Sequence, residues 1–362
     1  MIPIRFATRF PAAGLGAIMS AGIAATPVAA QTEIKLTMLD GYPLRSMWVT
    51  ELSKFFIPEL NKRLAKNGKY KIKWNEAYGG QIVKPRGVLE GIEKGLGDIG
   101  VVTTVFHASK VPLQLITYQT PFVSLDPVKM GKAVDAIAAK YPSFRQAFER
   151  RNQIYLTTGC VLDSYQVYSK TPIKSPKDLK GVKLAGAGAN LRYFDGMGVV
   201  GVKGSLVKYY NNLKTGVVNA AVIWPEAAKT FKIGEVAPHM LKADIGTVCS
   251  KAVTVNKNTW AKLPDPVKSA IKETAVAYRD RIATVALARA KASMDWFNKN
   301  GGKVVMLSAA ERSEWAKNMP NIAKGWAARL EKKGVPGKKI LASYMDLMRA
   351  GGAKPLRNWD KE

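Results

Sequence analysis

The sequence is poor in acidic residues, with 27 Asp and Glu against 56 Lys and Arg, which gives a formal net charge of +29. A charge of this size raises the question of a nucleic acid or another anionic surface as a partner. The basic residues are spread along the chain, however, and no basic strip alternates with stacking aromatic side chains. We therefore expect a solvated basic surface and no nucleic-acid partner.

Histidine and cysteine are scarce, with two residues of each. Neither His107 nor His239 is close in sequence to Cys160 or Cys249, so a catalytic thiol with a histidine base is not indicated. In an oxidising compartment the two cysteines can be joined in a disulfide. A pair of buried, unbonded thiols is the alternative that the sequence leaves open.

Long hydrophobic runs are missing from the chain after residue 30. No segment there approaches the roughly 18 apolar residues of a membrane-spanning helix. The first 30 residues combine Arg5 and Arg9 with an Ala- and Gly-rich apolar run and with Val28-Ala29-Ala30 before Gln31. That order is typical of a secretory signal peptide, and a membrane anchor fits less well because the apolar run is short. We predict export to the periplasm with cleavage after Ala30.

The first half of the remaining chain has the order of elements of an α/β fold. Residues 33–39 alternate polar and apolar side chains as a strand does, and residues 48–64 carry apolar side chains at helical spacing. A strand (70–74), a helix (88–95) and a strand (98–102) follow. Right-handed crossovers make such a sheet at least partly parallel. The strands' carboxyl ends, where open α/β sheets bind ligands, fall at 40–42, 78–80 and 103–106.

A second group of strands and helices follows. Residues 154–161 form a predicted strand that continues into the stretch 164–200, which holds another strand, a glycine turn at 186–188 and a helix at 191–197. A strand that runs into a glycine turn and a helix N-terminus leaves room for a ligand. Other predicted elements are helices at 134–148, 207–213, 309–330 and 339–349 and strands at 216–223 and 247–255.

Several segments resemble the solute-binding proteins of tripartite ATP-independent periplasmic (TRAP) transporters, of the C4-dicarboxylate-binding type. The most characteristic is Ser169 to Val182 (SKTPIKSPKDLKGV), and the similarity covers nearly the whole chain after residue 30. The joint order of the segments is specific to this family. The others are Gly80-Gln81, 95–100 (GLGDIG), 115–123 (LITYQTPFV), 213–219 (LKTGVVN) and 255–264 (VNKNTWAKLP).

The resemblance implies a two-lobe periplasmic binding protein of the α/β class, in which hinge-crossing strands join the lobes and a solute is enclosed between them. It also implies delivery of the solute to the membrane subunits of a TRAP transporter. We predict a monomer that is not an enzyme and needs no cofactor. The predicted parts are a signal peptide (1–30), lobe I (31–161 and 250–289), lobe II (162–249 and 290–345) and a long bracing helix (265–298).

Two arginines that relatives use against the ligand carboxylate are missing from this chain. Ala185 stands where a strand ends in an arginine in most of the family, and the second arginine falls on or near 163–165, which reads Asp-Ser-Tyr. Either another cation takes over, or the solute is not held mainly through a carboxylate. The candidate cations are Arg86, Arg192 and Lys183.

Aromatic residues at the ends of predicted strands indicate a less polar cleft. Trp224 stands where relatives often carry Asn, and its indole offers either a flat apolar wall or core packing. Ligand pockets are largely apolar with few polar groups, so we expect a small organic acid, aromatic or branched. The expected ligand contacts are Tyr42, Arg86, Thr103, Phe106, Asp163, Ser164, Tyr165, Ala185, Gly186, Arg192, Trp224 and Glu226, with Tyr168 as a further aromatic candidate.

Two other classes of function stay open from the sequence. A periplasmic enzyme would use Asp98, Asp163 or Glu226 as acid or base, but nothing pairs them at catalytic spacing. A receptor-coupled sensor would have the same fold and a different partner. Metal binding occurs in the family, but no cluster of Asp, Glu and His requires it here, so we expect no metal.

Overall fold

A computed structural model describes residues 31–66 and 68–362, which form two β-sheets covered by helices. The predicted signal peptide, with its cleavage after Ala30, lies outside the described residues. In the described ranges no helix has the length and apolar character needed to cross a membrane. The strands are β1 (Thr32–Leu39), β2 (Tyr70–Ala77), β3 (Ile99–Thr103), β4 (Gln153–Cys160), β5 (Gln166–Ser169), β6 (Lys183–Gly186), β7 (Val200–Lys203), β8 (Ala220–Ile223), β9 (His239–Lys242), β10 (Cys249–Asn256) and β11 (Lys303–Met306).

Helices connect these strands and cover both sheets. The α-helices are α1 (Met47–Glu51), α2 (Ile57–Ala65), α3 (Val88–Glu93), α4 (Pro127–Lys140), α5 (Pro142–Glu149), α6 (Leu206–Lys214), α7 (Pro225–Thr230), α8 (Ile233–Val236), α9 (Lys257–Lys262), α10 (Asp265–Lys299), α11 (Ala309–Asn318), α12 (Ile322–Glu331) and α13 (Gly337–Ala350). A π-helical turn (Leu52–Phe56) joins α1 to α2, and it lies just before Pro58, which lacks a backbone donor. The 3₁₀ segments are Pro85–Gly87, Thr104–His107, Pro112–Gln119, Pro176–Leu179 and Ala189–Phe194.

The first sheet has the strand order β2-β1-β3-β10-β4. β1 pairs in parallel with β2 and β3, as the βαβαβ pattern predicts. β10 runs antiparallel to both of its neighbours, β3 and β4. The carboxyl ends of β1 and β3 therefore lie beside the amino end of β10.

The second sheet has the order β11-β9-β5-β8-β6-β7. β6 pairs in parallel with β7 and β8, whereas β5 is antiparallel to β8 and β9. The carboxyl ends of β6, β7 and β8 thus fall at one edge. Two sheets with helices agree with the predicted two-lobe α/β fold, and the exact lobe boundaries stay a prediction.

Two chain segments cross between the sheets side by side, 161–165 after β4 and 243–248 before β10. Tyr165 N donates to Gly246 O (3.2 Å), and Ile245 N donates to Tyr165 O (3.2 Å). Thr247 Oγ1 donates to Leu162 O (2.5 Å). A disulfide between Cys160 and Cys249 closes the start of this crossing. The structure therefore selects the bonded alternative for the two cysteines.

The long predicted helix is α10, which has 35 residues. Near its middle, Tyr278 Oη donates a hydrogen bond to Trp48 O (2.6 Å) beside the first sheet. Near its end, the Phe297 ring lies edge-on against the Tyr168 ring of β5 in the second sheet, with centroids 5.3 Å apart. One helix thus packs against elements of both sheets.

Several predicted elements need correction. The helix predicted at 134–148 is two helices, α4 and α5, because Pro142 starts a new one. The helix predicted at 191–197 is the 3₁₀ segment Ala189–Phe194, and the strand predicted at 216–223 begins only at Ala220. The strands β7, β9 and β11 were not predicted, because they have four residues each and are too short for a clear sequence pattern.

We predict that replacing both cysteines with alanine lowers the free energy of unfolding by about 2–5 kcal/mol, since the bond closes a long loop. Denaturant unfolding of the oxidised wild type and of the Cys160→Ala/Cys249→Ala variant measures the difference. Reduced wild type is the control and should match the variant. Two titratable thiols in the denatured, unreduced protein would contradict the bond.

Candidate functional site

A cavity lies where the strand ends of the two sheets face each other. From the first sheet it receives Tyr42 after β1, Thr103 at the end of β3, and the start of β10; from the second it receives Ser205 after β7 and Trp224 after β8. The enclosed space is about 30 Å³, which is room for about two water molecules. A solute of several heavy atoms therefore requires the two sides to separate on entry.

Six aromatic rings contribute to the cavity wall. Tyr165 is central, since its hydroxyl lies 3.1 Å from that of Tyr118 and its ring packs edge-on against Trp224, with centroids 5.9 Å apart. Burial holds the pKa of both phenols above the usual value, so both stay neutral hydrogen-bonding groups. The rings on the wall are Tyr42, Phe106, Tyr118, Tyr165, Tyr209 and Trp224.

Lys251 is the one charged side chain among the described residues that line the cavity. It belongs to β10 and is 2% exposed. Its Nζ donates to Thr103 Oγ1 (2.8 Å) and lies 3.8 Å from the centroid of the Trp48 ring and 4.9 Å from that of Tyr42. Burial lowers the pKa of the Lys251 ammonium to about 7, against the opposing charge of Asp40.

Asp40 lies behind this ammonium and is also buried, with 1% exposed. Its Oδ1 accepts from Tyr42 N (2.8 Å), and its Oδ2 accepts from Trp48 Nε1 (3.0 Å). Burial raises the pKa of the Asp40 carboxyl, opposed first by the charge of Lys251 and then by the two hydrogen bonds. Within the described ranges, no carboxylate lies within salt-bridge distance of the Lys251 ammonium. The charge of Asp40 therefore acts on the ammonium from a longer distance.

Arg86 and Arg192 lie outside the cavity, along a groove that leads to it. The Arg86 guanidinium stacks over the Phe106 ring at 4.2 Å, and its Nη2 donates to Gly204 O (3.3 Å) on the opposite side of the cleft. Arg192 is paired with Asp195 (3.4 Å). Lys183, the third candidate cation, is exposed.

The predicted contacts Asp163, Ser164 and Glu226 do not line the cavity. Ser164 Oγ accepts a hydrogen bond from Gly246 N (3.0 Å) in the crossing segments. Asp163 lies next to it in the chain, and burial raises the pKa of its carboxyl to about 7. Glu226 accepts from Trp224 Nε1 (3.2 Å) and Thr230 Oγ1 (2.8 Å), and burial raises its pKa. It therefore positions the indole that faces the cavity.

Ala185 and Gly186 also lie outside the cavity wall, and the adjoining Ala187 takes their place there. Ala185 is 1% exposed and lies in register with Val202 and Ala221 of the neighbouring strands. A Cβ on Gly186 would come within 2.6 Å of the Leu191 side chain. The glycine thus permits close packing of the 3₁₀ segment on β6. Tyr168 packs on α10.

Of the predicted contacts, Tyr42, Thr103, Phe106, Tyr165 and Trp224 meet at the cavity. Sequence reasoning missed Lys251, although a lysine inside the apolar run Cys249–Asn256 (CSKAVTVN) is a signal of a buried charge. No group of three or more His, Cys, Asp and Glu suited to a metal ion occurs within residues 31–66 and 68–362. The other residues missed are Val105, Tyr118, Ala187, Asn190, Ser205, Leu206, Tyr209, Val222 and Ser250.

Known proteins of one family are similar to this chain. Residues 43–329 match the family described as bacterial extracellular solute-binding protein, family 7. This family and its structural neighbours are solute receptors and not enzymes.

Solved structures of similar fold cover most of the chain. A TRAP solute-binding protein from Rhodoferax ferrireducens, in complex with copurified benzoate, has a TM-score of 0.79 and 17% identity over 88% of this chain and 98% of its own. A marine metagenome TRAP protein specific for aromatic acids has a TM-score of 0.74 and 19% identity over 88% and 99%. A Bordetella pertussis solute receptor that binds pyroglutamic acid has a TM-score of 0.72 and 20% identity over 86% and 99%. At these identities the likeness establishes the fold.

We predict that Arg86→Ala speeds solute release by about three- to tenfold, because the guanidinium contacts Phe106 and the Gly204 carbonyl across the cleft. The dissociation rate of the copurified solute measures the effect. Lys84→Ala is the matched control, because Lys84 is an exposed cation two positions away. Equal rates for the two variants would contradict a bridging role for Arg86.

Proposed function

Because the chain belongs to family 7 of the bacterial extracellular solute-binding proteins, we propose that it captures a small organic acid in the cavity between its two sheets. In this proposal it delivers the acid to the membrane subunits of a TRAP transporter. The observation that carries the proposal is the cavity at the facing strand ends, with six aromatic rings in its wall. Such a site favours an organic solute with a flat or branched apolar body.

The cavity chemistry supports an acid with an apolar body. Tyr118, Tyr165 and Trp224 supply flat faces and two neutral hydroxyls. The other polar groups are few, and they are Thr103, Asn190, Ser205, Ser250 and the cation Lys251. Relatives of the same fold bind benzoate and pyroglutamate. We propose an aromatic or branched acid for this chain, with Tyr42, Thr103, Phe106, Tyr165 and Trp224 as contacts and Arg86 at the mouth.

The proposal includes closure of the cleft around the solute. The crossing segments 161–165 and 243–248 connect the two sheets and provide the hinge, while the cavity is too small in the present form for a solute to enter. Binding would then stabilise the closed form by contacts that both sides make at once. The periplasmic location and the monomeric state belong to the same proposal.

We expect thermal stabilisation of the exported chain by monocyclic aromatic or branched acids, with little effect from C4-dicarboxylates. Mass spectrometry of the small molecule that copurifies identifies the natural solute, and X-ray scattering should show a smaller radius of gyration when it is added. Strong stabilisation by C4-dicarboxylates alone would contradict the apolar ligand class. An unchanged radius would contradict closure.

Delivery is tested separately from binding. Vesicles that contain the TRAP membrane subunits encoded beside this chain should take up the copurified solute only when the binding protein is present. A variant in which the cavity is filled, such as Ser205→Phe, is the matched control because it should abolish both binding and uptake. Binding without uptake, or the absence of such neighbouring membrane subunits, would favour a receptor as the partner.

A further inference from the structure

We propose that Lys251 is the cation that holds the carboxylate of the solute, and that it makes the site selective for monoanions. This inference rests on the proposed function, since it concerns the acid group of the same solute. Arginine is absent at position 185, and the structure puts a buried ammonium inside the cavity from a different strand.

Lys251 has hydrogen-bonding capacity that the protein does not use. An ammonium has three N–H donors, and the described residues satisfy one of them, through Thr103 Oγ1 (2.8 Å). The faces of Trp48 and Tyr42 lie close to the charge and stabilise it without accepting a full hydrogen bond. A buried ammonium in this state is stabilised by an anion that enters the cavity, because it then gains charge-assisted hydrogen bonds.

Asp40 does not take the role of that anion. Its two oxygens already accept from Tyr42 N and Trp48 Nε1, which hold the carboxylate behind the ammonium. Asp40 therefore fixes Trp48 and keeps a negative charge at the back of the site. Among the described residues, the cavity wall has no second cation for another carboxylate, which disfavours dianions.

The other candidate cations are poorly placed for direct contact with a solute in the cavity. The Phe106 ring contributes to the cavity wall, and Arg86 stacks on this ring while donating to the Gly204 carbonyl. Arg192 is paired with Asp195 and lines the outer groove. These two arginines attract anions towards the mouth of the cleft, whereas Lys251 contacts the bound acid.

The test uses the full exported chain and a fixed set of probes: benzoate, phenylacetate and pyruvate as monoanions, succinate as a dianion, and benzamide as a neutral analogue. Calorimetry measures each dissociation constant for wild type and for Lys251→Met. Methionine keeps the unbranched stem and packs well against Trp48 and Tyr42, so the variant should fold, as its melting curve will show. Lys183→Met, which removes an exposed ammonium, is the matched control.

We expect wild type and Lys183→Met to bind at least one monoanion and to reject succinate and benzamide. Lys251→Met should bind the same monoanion about 10- to 100-fold more weakly, because it loses one charge-assisted hydrogen bond to the carboxylate. A monoanion that Lys251→Met binds as tightly as wild type overturns the role of Lys251 and leaves the proposed function intact. If wild type binds no monoanion, or binds only neutral probes, both proposals fail.

The pH dependence provides a second readout, which a merely structural role of Lys251 would not produce. The ionisable groups around the ammonium are the Asp40 carboxyl and the phenols that line the cavity with it, with the Arg86 guanidinium at the mouth; these phenols belong to Tyr42, Tyr118, Tyr165 and Tyr209. Burial raises the pKa of these phenols, so they stay neutral around pH 7. The pKa of Lys251 is lowered to about 7.

Since only the protonated lysine attracts an anion, the monoanion affinity should be highest below about pH 7 and fall as the pH rises above it. In Lys251→Arg the guanidinium keeps its charge, so any binding that remains should be independent of pH between pH 7 and 9, above the pKa of about 6 to which burial raises Asp40. A wild-type affinity that stays constant from pH 6 to 9 overturns the proposal. If Lys251→Arg does not fold, the wild-type profile decides alone.

Discussion

The pairing of β10 with its two neighbours is the constraint on which the rest of the structure depends. All eight residues of this strand are buried, and its backbone bonds to β3 on one side and to β4 on the other. A strand held on both edges cannot shift its register without turning its side chains to the wrong face. The position of Lys251 inside the protein follows directly from this pairing.

The same strand links the hinge to the cavity. It begins at Cys249, which is bonded to Cys160, and it ends at Asn256, whose side chain accepts from Asn258 N and Thr259 N at the start of α9. The crossing segments 161–165 and 243–248 enter the first sheet next to Lys251 and Ser250. The crossing segments therefore end about two residues from the cavity wall.

The free-energy cost of burying a charge bears on which kind of solute this fold favours. An ammonium in the interior is unfavourable unless hydrogen bonds and opposite charge compensate it. Here the compensation comes from one hydroxyl, two ring faces and a carboxylate held behind them. Lys251 also lies on the wall of the cavity, where a positive charge favours an anion.

The sequence by itself determined the α/β class, the family resemblance, the long helix and the absence of an arginine at position 185. Each of these follows from hydrophobic periodicity or from a local motif. It also predicted Tyr42, Thr103, Phe106 and Trp224, which the structure brings to the cavity wall, since strand ends collect at sheet edges. Only the tertiary structure decided that Ala185 and Gly186 pack inside a sheet, that the cysteines are bonded, and that a lysine faces the cavity. The contact between Lys251 and Thr103 joins residues 148 positions apart, and no local pattern reports which distant side chains a fold brings together.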